Sequence, residues 1–183
     1  MFPACRSDDS DFHKFIGQKI KSGTMRDVYE VDGYPDFIIK EDRTTNHGAN
    51  ETEAAVYFTA IINKFQAVLE CIAEIRSISQ SGKYLIMEKL NTNIPNELRP
   101  CGNMPNEVTD NKLENFGVSL KNNKIKCLDY AQLSDNHKPG EISGRVRSAN
   151  LPSVESVTDM RKDMDSINDI LNDFDQESNF PPY

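Results

Sequence analysis

The segment of residues 110–131 constrains the fold more than any other part of the sequence. Residues 116–120 and 124–128 each predict a short strand, the second by alternating charged and apolar side chains. The Lys-Asn-Asn run between them predicts a tight turn, because Asn tolerates the left-handed backbone region that such turns need. The sequence therefore predicts a hairpin.

Three polar side chains flank this hairpin. Folding it about the turn brings Asn115 and Asp129 together at the open end, and Asp110 lies on the loop that leads into the first strand. Carboxylate and amide oxygens are the ligands that hard divalent cations prefer. The three side chains therefore predict a site for a cation such as magnesium.

The same residues resemble the catalytic and metal-binding loops of protein kinases. Asp110-x-Lys112-x-x-Asn115 matches the family's Asp-x-Lys-x-x-Asn, and Asp129-Tyr130-Ala131 stands for its Asp-Phe-Gly. The resemblance implies that Asp110 orients the substrate hydroxyl and accepts its proton, while Lys112 steadies the transferred phosphate and favours Ser/Thr substrates. It also implies that Asn115 and Asp129 hold magnesium. Turn formation alone would explain single Asp and Asn residues, but it does not explain the whole string.

The kinase pattern requires a glycine-rich turn between two strands near the N-terminus. Residues 15–21 and 27–31 predict the strands, but only Gly23 remains of the family's three glycines, since Lys21 and Arg26 replace the others. Glycines allow backbone N–H groups to approach phosphate closely. An ordinary hairpin explains this segment equally well, and cationic side chains would have to contact phosphate in place of the backbone.

A lysine strand and a glutamate helix should follow. Residues 36–40 predict a strand that ends at Lys40, and residues 50–63 predict a helix with Asn50 as N-cap. The helix has apolar residues at helical spacing: Ala54, Tyr57, Phe58, Ile61 and Ile62. The resemblance implies that Lys40 binds the nucleotide phosphates and pairs with Glu53, which the casein-kinase-like spacing to Tyr57 favours over Glu51. Helix-dipole complementarity is the alternative explanation for both acids.

Two further apolar runs, residues 67–78 and 83–90, are joined by a polar turn and resemble the strands that lead into the kinase hinge. Met87 would lie at the back of the adenine pocket, and backbone groups of residues 88–90, beginning with Glu88, would bond adenine. The apolar walls would come from Ile20, Val28, Ile38 and Leu90. A plain sheet core would use the same residue types.

The chain departs from the family in residues 91–109, where Pro95, Pro100 and Pro105 exclude a helix of ordinary length. Val108-Thr109 replaces the family's His-Arg before the catalytic Asp, which removes the usual support of that loop and any dependence on loop phosphorylation. Residues 159–174 predict an amphipathic helix, in which the resemblance assigns Asp163 to brace the catalytic loop.

Composition sets the remaining expectations. A length of 183 residues suits one domain, and a net charge of −8 disfavours nucleic acid or anionic membranes as partners. No apolar run could span a bilayer, and the four cysteines have neither zinc-site nor disulfide spacing. Together with the kinase resemblance, which implies an α+β minimal bilobal kinase domain at 12–175 divided near residue 90, we expect a monomer with a disordered N-terminus at residues 1–11 and a tail at 176–183.

This plan resembles the small kinases that pathogenic bacteria inject into host cells by type III secretion. One such group phosphorylates the host ninety-kilodalton heat-shock chaperone. The resemblance implies an ATP- and magnesium-dependent Ser/Thr kinase acting on a host protein in the host cytoplasm, with a secretion signal in residues 1–11. A catalytically dead pseudokinase is the alternative. A small-molecule kinase would need a larger C-terminal lobe than this length allows.

Overall fold

The computed structural model describes residues 1–152. The chain divides into Met1–Leu151 and Pro152–Tyr183, and the first of these units contains every described helix and strand. The helix predicted at 159–174, with Asp163, lies outside the described residues, as does the predicted tail at 176–183.

An antiparallel sheet of five strands dominates the first half of the chain, in the order β1-β2-β3-β5-β4. Its strands are β1 (Ile16–Ser22), β2 (Arg26–Val31), β3 (Phe37–Asp42), β4 (Ile75–Ile78) and β5 (Tyr84–Glu88). Successive side chains of a strand point to opposite faces. Ile38 and Met87 accordingly join one apolar cluster, whereas Ile39 and Ile86 join another. Strands β3 and β5 are therefore buried on both faces, whereas most of β1 is exposed.

The N-terminal residues cover one of these faces. A short helix, α1 (Asp9–His13), buries Phe12 completely, and the ring of Phe2 lies 4.2 Å from that of Tyr34. The backbone N–H of Arg6 donates to Ile78 at 2.7 Å, along the sheet edge. The structure thus differs from the disorder predicted for residues 1–11, because the aromatic side chains of this segment complete an apolar cluster.

The connection from β3 to β4 forms α2 (Gly48–Ile62) and α3 (Gln66–Cys71). The prediction that Asn50 is the N-cap is wrong. Asn50 lies fully buried inside α2, where its amide donates to the carbonyls of Lys40, Gly82 and Lys83. The predicted apolar stripe is also partly wrong, since Ile62 is 77 % exposed. The buried apolar residues of α2 are Ala54, Val56 and Ala60. Their small side chains allow the helix to lie close to the sheet.

The second half contains two smaller antiparallel sheets. One has the order β6-β8-β9, from β6 (Leu90–Asn91), β8 (Phe116–Ser119) and β9 (Ile125–Cys127). The other pairs β7 (Asn103–Pro105) with β10 (Val146–Ser148). Short 3₁₀ helices occupy Asn96–Cys101 and Leu113–Asn115. The predicted hairpin is β8–β9, and its turn residue Asn123 has φ 55°.

The α+β class is confirmed by these antiparallel sheets and helices. The predicted division near residue 90 falls inside β6, which pairs with β8. A Cβ on Gly117 of β8 would lie 2.6 Å from that of Leu90, so this pairing requires glycine there. Within residues 1–152, no helix has the length and apolar character needed to cross a membrane.

Candidate active site

Lys40 and Glu53 form a buried ion pair between β3 and α2. The Lys40 ammonium lies 2.9 Å and 3.0 Å from the two Glu53 carboxylate oxygens and donates to the Leu128 carbonyl at 2.6 Å. Burial lowers the pKa of Lys40, and the nearby Glu53 carboxylate opposes that shift. Glu51, the other candidate, pairs instead with Arg6 on the surface.

Arg26 joins this pair to the β8–β9 hairpin. Its Nη2 lies 2.7 Å from Asp129 Oδ1, and its Nη1 lies 3.0 Å from Glu53 Oε1. We refer to Arg26, Lys40, Glu53 and Asp129 as the charged cluster. Burial by itself would raise the pKa of Asp129, but the cations Lys40 and Arg26 lower it well below its usual range. Asp129 is therefore a carboxylate, and the cluster holds two positive and two negative charges.

Tyr130 fixes the backbone beside Asp129. Its N–H donates to Glu53 at 3.3 Å, and its hydroxyl donates to the Ala73 carbonyl at 3.0 Å. The side chain is fully buried. A tyrosine in place of the family's phenylalanine is thus accommodated, because its hydroxyl has a hydrogen-bond partner inside the core.

An apolar cavity of about 600 Å³ lies on one side of the charged cluster. The residues predicted as adenine walls line it together with Lys40: Ile20, Val28, Ile38 and Leu90. Two predicted nucleotide residues are placed elsewhere. Met87 is fully buried in the core, and Gly23 donates its N–H to the Arg26 carbonyl at 2.8 Å. Neither is among the residues that line this cavity.

The segment at Glu88, which was predicted as the hinge, is held by hydrogen bonds within the protein. The Glu88 carboxylate accepts hydrogen bonds from Ser119 at 2.5 Å and from the buried Lys126 ammonium at 2.8 Å. The backbone N–H groups of Glu88 and Lys89 donate to the carbonyls of Glu74 and Asp36. These two N–H groups are therefore occupied, and the predicted backbone bonds to adenine cannot use them without a rearrangement.

A second cavity, of about 490 Å³, contains both aspartates of the predicted catalytic string. Asp110, Asp129 and Arg26 line it, together with Thr52 and Gln132. Lys112 extends towards Asp110, with its ammonium 3.4 Å from Oδ2 and its side chain 67 % exposed. The structure thus places a carboxylate with an exposed lysine beside it, and a second carboxylate paired with arginine, around one open space.

Asn115, the other predicted cation ligand, is not among the residues that line this second cavity. It is buried, and its amide Nδ2 donates to the Asp110 carbonyl at 3.3 Å. Across residues 1–152, no three His, Cys, Asp or Glu side chains converge to hold a metal ion by themselves.

The backbone just before Asp110 is held by hydrogen bonds from two segments that are distant in the sequence. Arg147 Nη2 donates to the Val108 carbonyl at 2.8 Å, and the Thr109 N–H donates to Gln132 at 2.9 Å. Val108 is fully buried. The sequence lacks the His-Arg pair that was expected to support this segment. Arg147 and these backbone bonds support it instead. Nothing in the local sequence pattern indicated this contact, because the two residues are 39 positions apart.

Replacing Arg147 with glutamine should loosen the segment before Asp110. We expect amide hydrogen exchange at Thr109 to become roughly tenfold faster, because one hydrogen bond from a charged donor to Val108 is lost. Exchange measured by mass spectrometry or NMR would test this. Arg145→Gln is the matched control, since Arg145 is exposed on the same segment. Equal protection of Thr109 in both variants would contradict the bracing role.

Neither a family model nor a curated protein matches this chain. The site is therefore defined by its own geometry. It consists of the charged cluster, which has no net charge, between an apolar cavity and a polar one that contains Asp110 and Asp129.

Proposed function

We propose that this protein is an ATP- and magnesium-dependent protein kinase of minimal bilobal form, which transfers the γ-phosphate to Ser or Thr. The Lys40–Glu53 ion pair carries the proposal, because it lies beside Asp129 and adjoins the apolar cavity. A buried cation fixed by a carboxylate, next to an apolar space large enough for a purine, suits a nucleotide whose phosphates point towards Asp110.

The fold supports the same proposal. A five-stranded antiparallel sheet with one long helix corresponds to the expected N-lobe, and α2 presents Glu53 to the lysine strand. Asn115 lies just before the first strand of the β8–β9 hairpin, and Asp129 lies just after the second. The motif order of the kinase resemblance is therefore compatible with one continuous site.

Each residue of the site has a defined task in this proposal. Ile20, Val28 and Leu90 enclose the purine, and Lys40 donates to the phosphates. Asp110 aligns the substrate hydroxyl and accepts its proton, and the exposed Lys112 steadies the transferred group. Asn115 and Asp129 would hold magnesium, which when bound offsets charge on the phosphates. Catalysis would then consist mainly of positioning and electrostatic stabilisation.

The biological part of the proposal rests on the resemblance alone. It makes the protein a monomeric bacterial effector that acts in the host cytoplasm on a host protein, for which the ninety-kilodalton heat-shock chaperone is the first candidate. Incubation of the purified chaperone with ATP, followed by phosphopeptide mapping, would test that substrate. Phosphoproteomics of host cells that express the wild type or an inactive variant would find others.

Asp110→Asn should remove most of the activity without changing nucleotide binding. Transfer of radiolabelled phosphate should fall by about 10²–10⁴-fold, the usual contribution of a positioned general base. ATP affinity should be unchanged, because the Asp110 side chain lies outside the charged cluster and contacts Lys112 at 3.4 Å. Asp135→Asn, at an exposed loop position, is the matched control. Equal incorporation by Asp110→Asn and the wild type would overturn the assignment.

Two observations favour a pseudokinase as the second candidate. Arg26 already neutralises Asp129, the predicted metal ligand, and two of the three glycines of the kinase pattern are absent from the β1–β2 turn. A pseudokinase would incorporate no phosphate in the wild type, whatever the protein substrate, while still binding ATP. The radiolabel assay with Asp110→Asn as its blank separates the two candidates.

A further inference from the structure

Arg26 lies where the two cavities approach each other. It begins β2 and lines the cavity of Asp110, whereas Val28, two residues along the strand, lines the apolar cavity. Alternate residues of a strand share a face. Arg26 and Val28 therefore point to the same side of the sheet, and a ligand that spans both cavities would pass Arg26.

The backbone of the β1–β2 turn does not offer a phosphate cradle. Its one remaining glycine, Gly23, donates its N–H to the carbonyl of Arg26, and the carbonyls of Gly23 and Thr24 accept from Arg43. Gly23 lines neither cavity. The N–H of this glycine is therefore not free for a phosphate, which makes a side chain such as that of Arg26 the stronger candidate on this side of the site.

The Arg26 guanidinium has donors to spare. Its side chain is only 11 % exposed, and Nη1 is buried without a hydrogen bond, although it lies 3.0 Å from Glu53 Oε1. A guanidinium has five N–H donors in a fork that matches phosphate oxygens. A buried donor that has an ion-pair partner but no well-aligned hydrogen bond can still gain from a phosphate oxygen.

The charge balance of the cluster would favour a shift of Arg26 from Asp129 to a phosphate once a cation binds Asp129. The charged cluster is neutral, with Arg26 and Asp129 as one of its pairs. A divalent cation on Asp129 would replace Arg26 as the partner of that carboxylate. The guanidinium would then be a surplus positive charge beside an anionic triphosphate, which is the partner that its geometry fits.

We propose that Arg26 is a phosphate-binding residue of this site, which Asp129 holds while no nucleotide is bound and which a divalent cation on Asp129 releases. The identity of the ligand rests on the proposed function. In this arrangement one arginine performs the task that three glycines perform in the family pattern.

Binding of nucleotides to the full chain, measured by titration calorimetry without turnover, tests the proposal. The probes are adenosine and a non-hydrolysable ATP analogue, both with magnesium. Arg26→Gln should weaken the ATP analogue by about 10–100-fold, as expected for charge-assisted hydrogen bonds, and change adenosine binding by less than about twofold. Arg76→Gln is the control, because Arg76 pairs with Glu74 on the surface.

A second measurement examines the release from Asp129. Mn²⁺ binding to the nucleotide-free protein, followed by electron paramagnetic resonance, should be several-fold tighter in Arg26→Gln than in the wild type, because the cation no longer competes with the guanidinium. Arg26→Lys, which keeps the charge but lacks the fork, should lose an intermediate amount of ATP affinity. If Arg26→Gln does not fold, the ATP affinity of Arg26→Lys tests the proposal in its place.

The outcomes separate this proposal from the function on which it depends. If the wild type binds adenosine and the ATP analogue, but Arg26→Gln binds the analogue equally well or more tightly, Arg26 is not a phosphate ligand and the kinase proposal stands. If both Arg26 variants keep full ATP affinity, the inference fails in the same way. If the wild type binds neither ligand, both proposals fail together.

Discussion

Asp129→Asn is expected to lower phosphoryl transfer by about a thousandfold or more, because a metal ligand contributes several kcal/mol to the stability of the transition state. Asparagine has the shape of aspartate and can still accept a hydrogen bond from Arg26, so the fold should persist. Raising the magnesium concentration should not restore the rate, since a neutral amide is a poor substitute for the carboxylate as a metal ligand. Steady-state rates over a range of magnesium concentrations would measure the effect.

The size of this loss depends on the charge state of Asp129 in the wild type. The pKa of Asp129 lies well below its usual range, because Lys40 and Arg26 outweigh the effect of its burial. It is therefore ionised at any pH used for an assay, and the substitution removes a full charge. Asp135→Asn, at an exposed position, should keep the wild-type rate. Near-native transfer by Asp129→Asn at low magnesium would rule out Asp129 as a metal ligand.

The parts of the site that the sequence predicted are those with strong local patterns. The β8–β9 hairpin follows from two short apolar-containing runs around Lys-Asn-Asn, and Asn123 does adopt a left-handed backbone. Lys40 ends a compact apolar run and α2 follows it directly, so the Lys40–Glu53 contact depends on two adjacent elements. Local patterns of this kind predict each helix or strand and also its contact with the next element along the chain.

Contacts between distant segments were not predictable in the same way. Arg26 and Asp129 are separated by 103 positions, and the sequence showed only that a cation had replaced a glycine. The β7–β10 pair joins two three-residue strands with few apolar residues, which carry no periodic signal. Both arise from the way in which complete elements meet, which no short window of sequence contains.

The N-terminal segment differs from its expected disorder for another reason. Residues 1–11 were expected to be disordered because chain ends often fray, yet Phe2 and Phe12 are the side chains that determine where the segment lies. Burying one aromatic side chain contributes roughly 1.5–3 kcal/mol, which offsets much of the entropy lost when a few residues become ordered. Charge between the aromatic residues does not prevent this, because the acids stay at the surface.

Glu53→Leu should produce the largest loss of stability among single substitutions in the site. It removes the carboxylate that Lys40 and Arg26 share, and it leaves the Lys40 ammonium buried with the Leu128 carbonyl as its remaining close acceptor. Breaking a buried ion pair from one side typically costs about 3–5 kcal/mol. For a chain of this size, that corresponds to a fall of roughly 6–20 °C in the melting temperature, measurable by calorimetry.

The pH dependence of this deficit identifies its cause. The folded-state pKa of Lys40 is already lowered by burial, and loss of Glu53 should lower it further. Between that value and the unfolded value of about 10.4, the unfolded chain binds more protons than the folded one, so stability rises with pH. The deficit of Glu53→Leu should therefore shrink as the pH is raised from 7 towards 10. A deficit that is constant over this interval would point to lost side-chain contacts instead.

Charge balance also predicts which second substitution restores the fold. Lys40→Met together with Glu53→Leu removes one charge of each sign and leaves Arg26 paired with Asp129 at 2.7 Å. Since a buried ion pair can often be replaced by apolar side chains without loss of stability, the double variant should melt well above Glu53→Leu. Glu51→Leu, which breaks only a surface pair with Arg6, should shift the melting temperature by about 4 °C or less. A double variant no more stable than Glu53→Leu would mean that the burial of unpaired charge does not determine stability here.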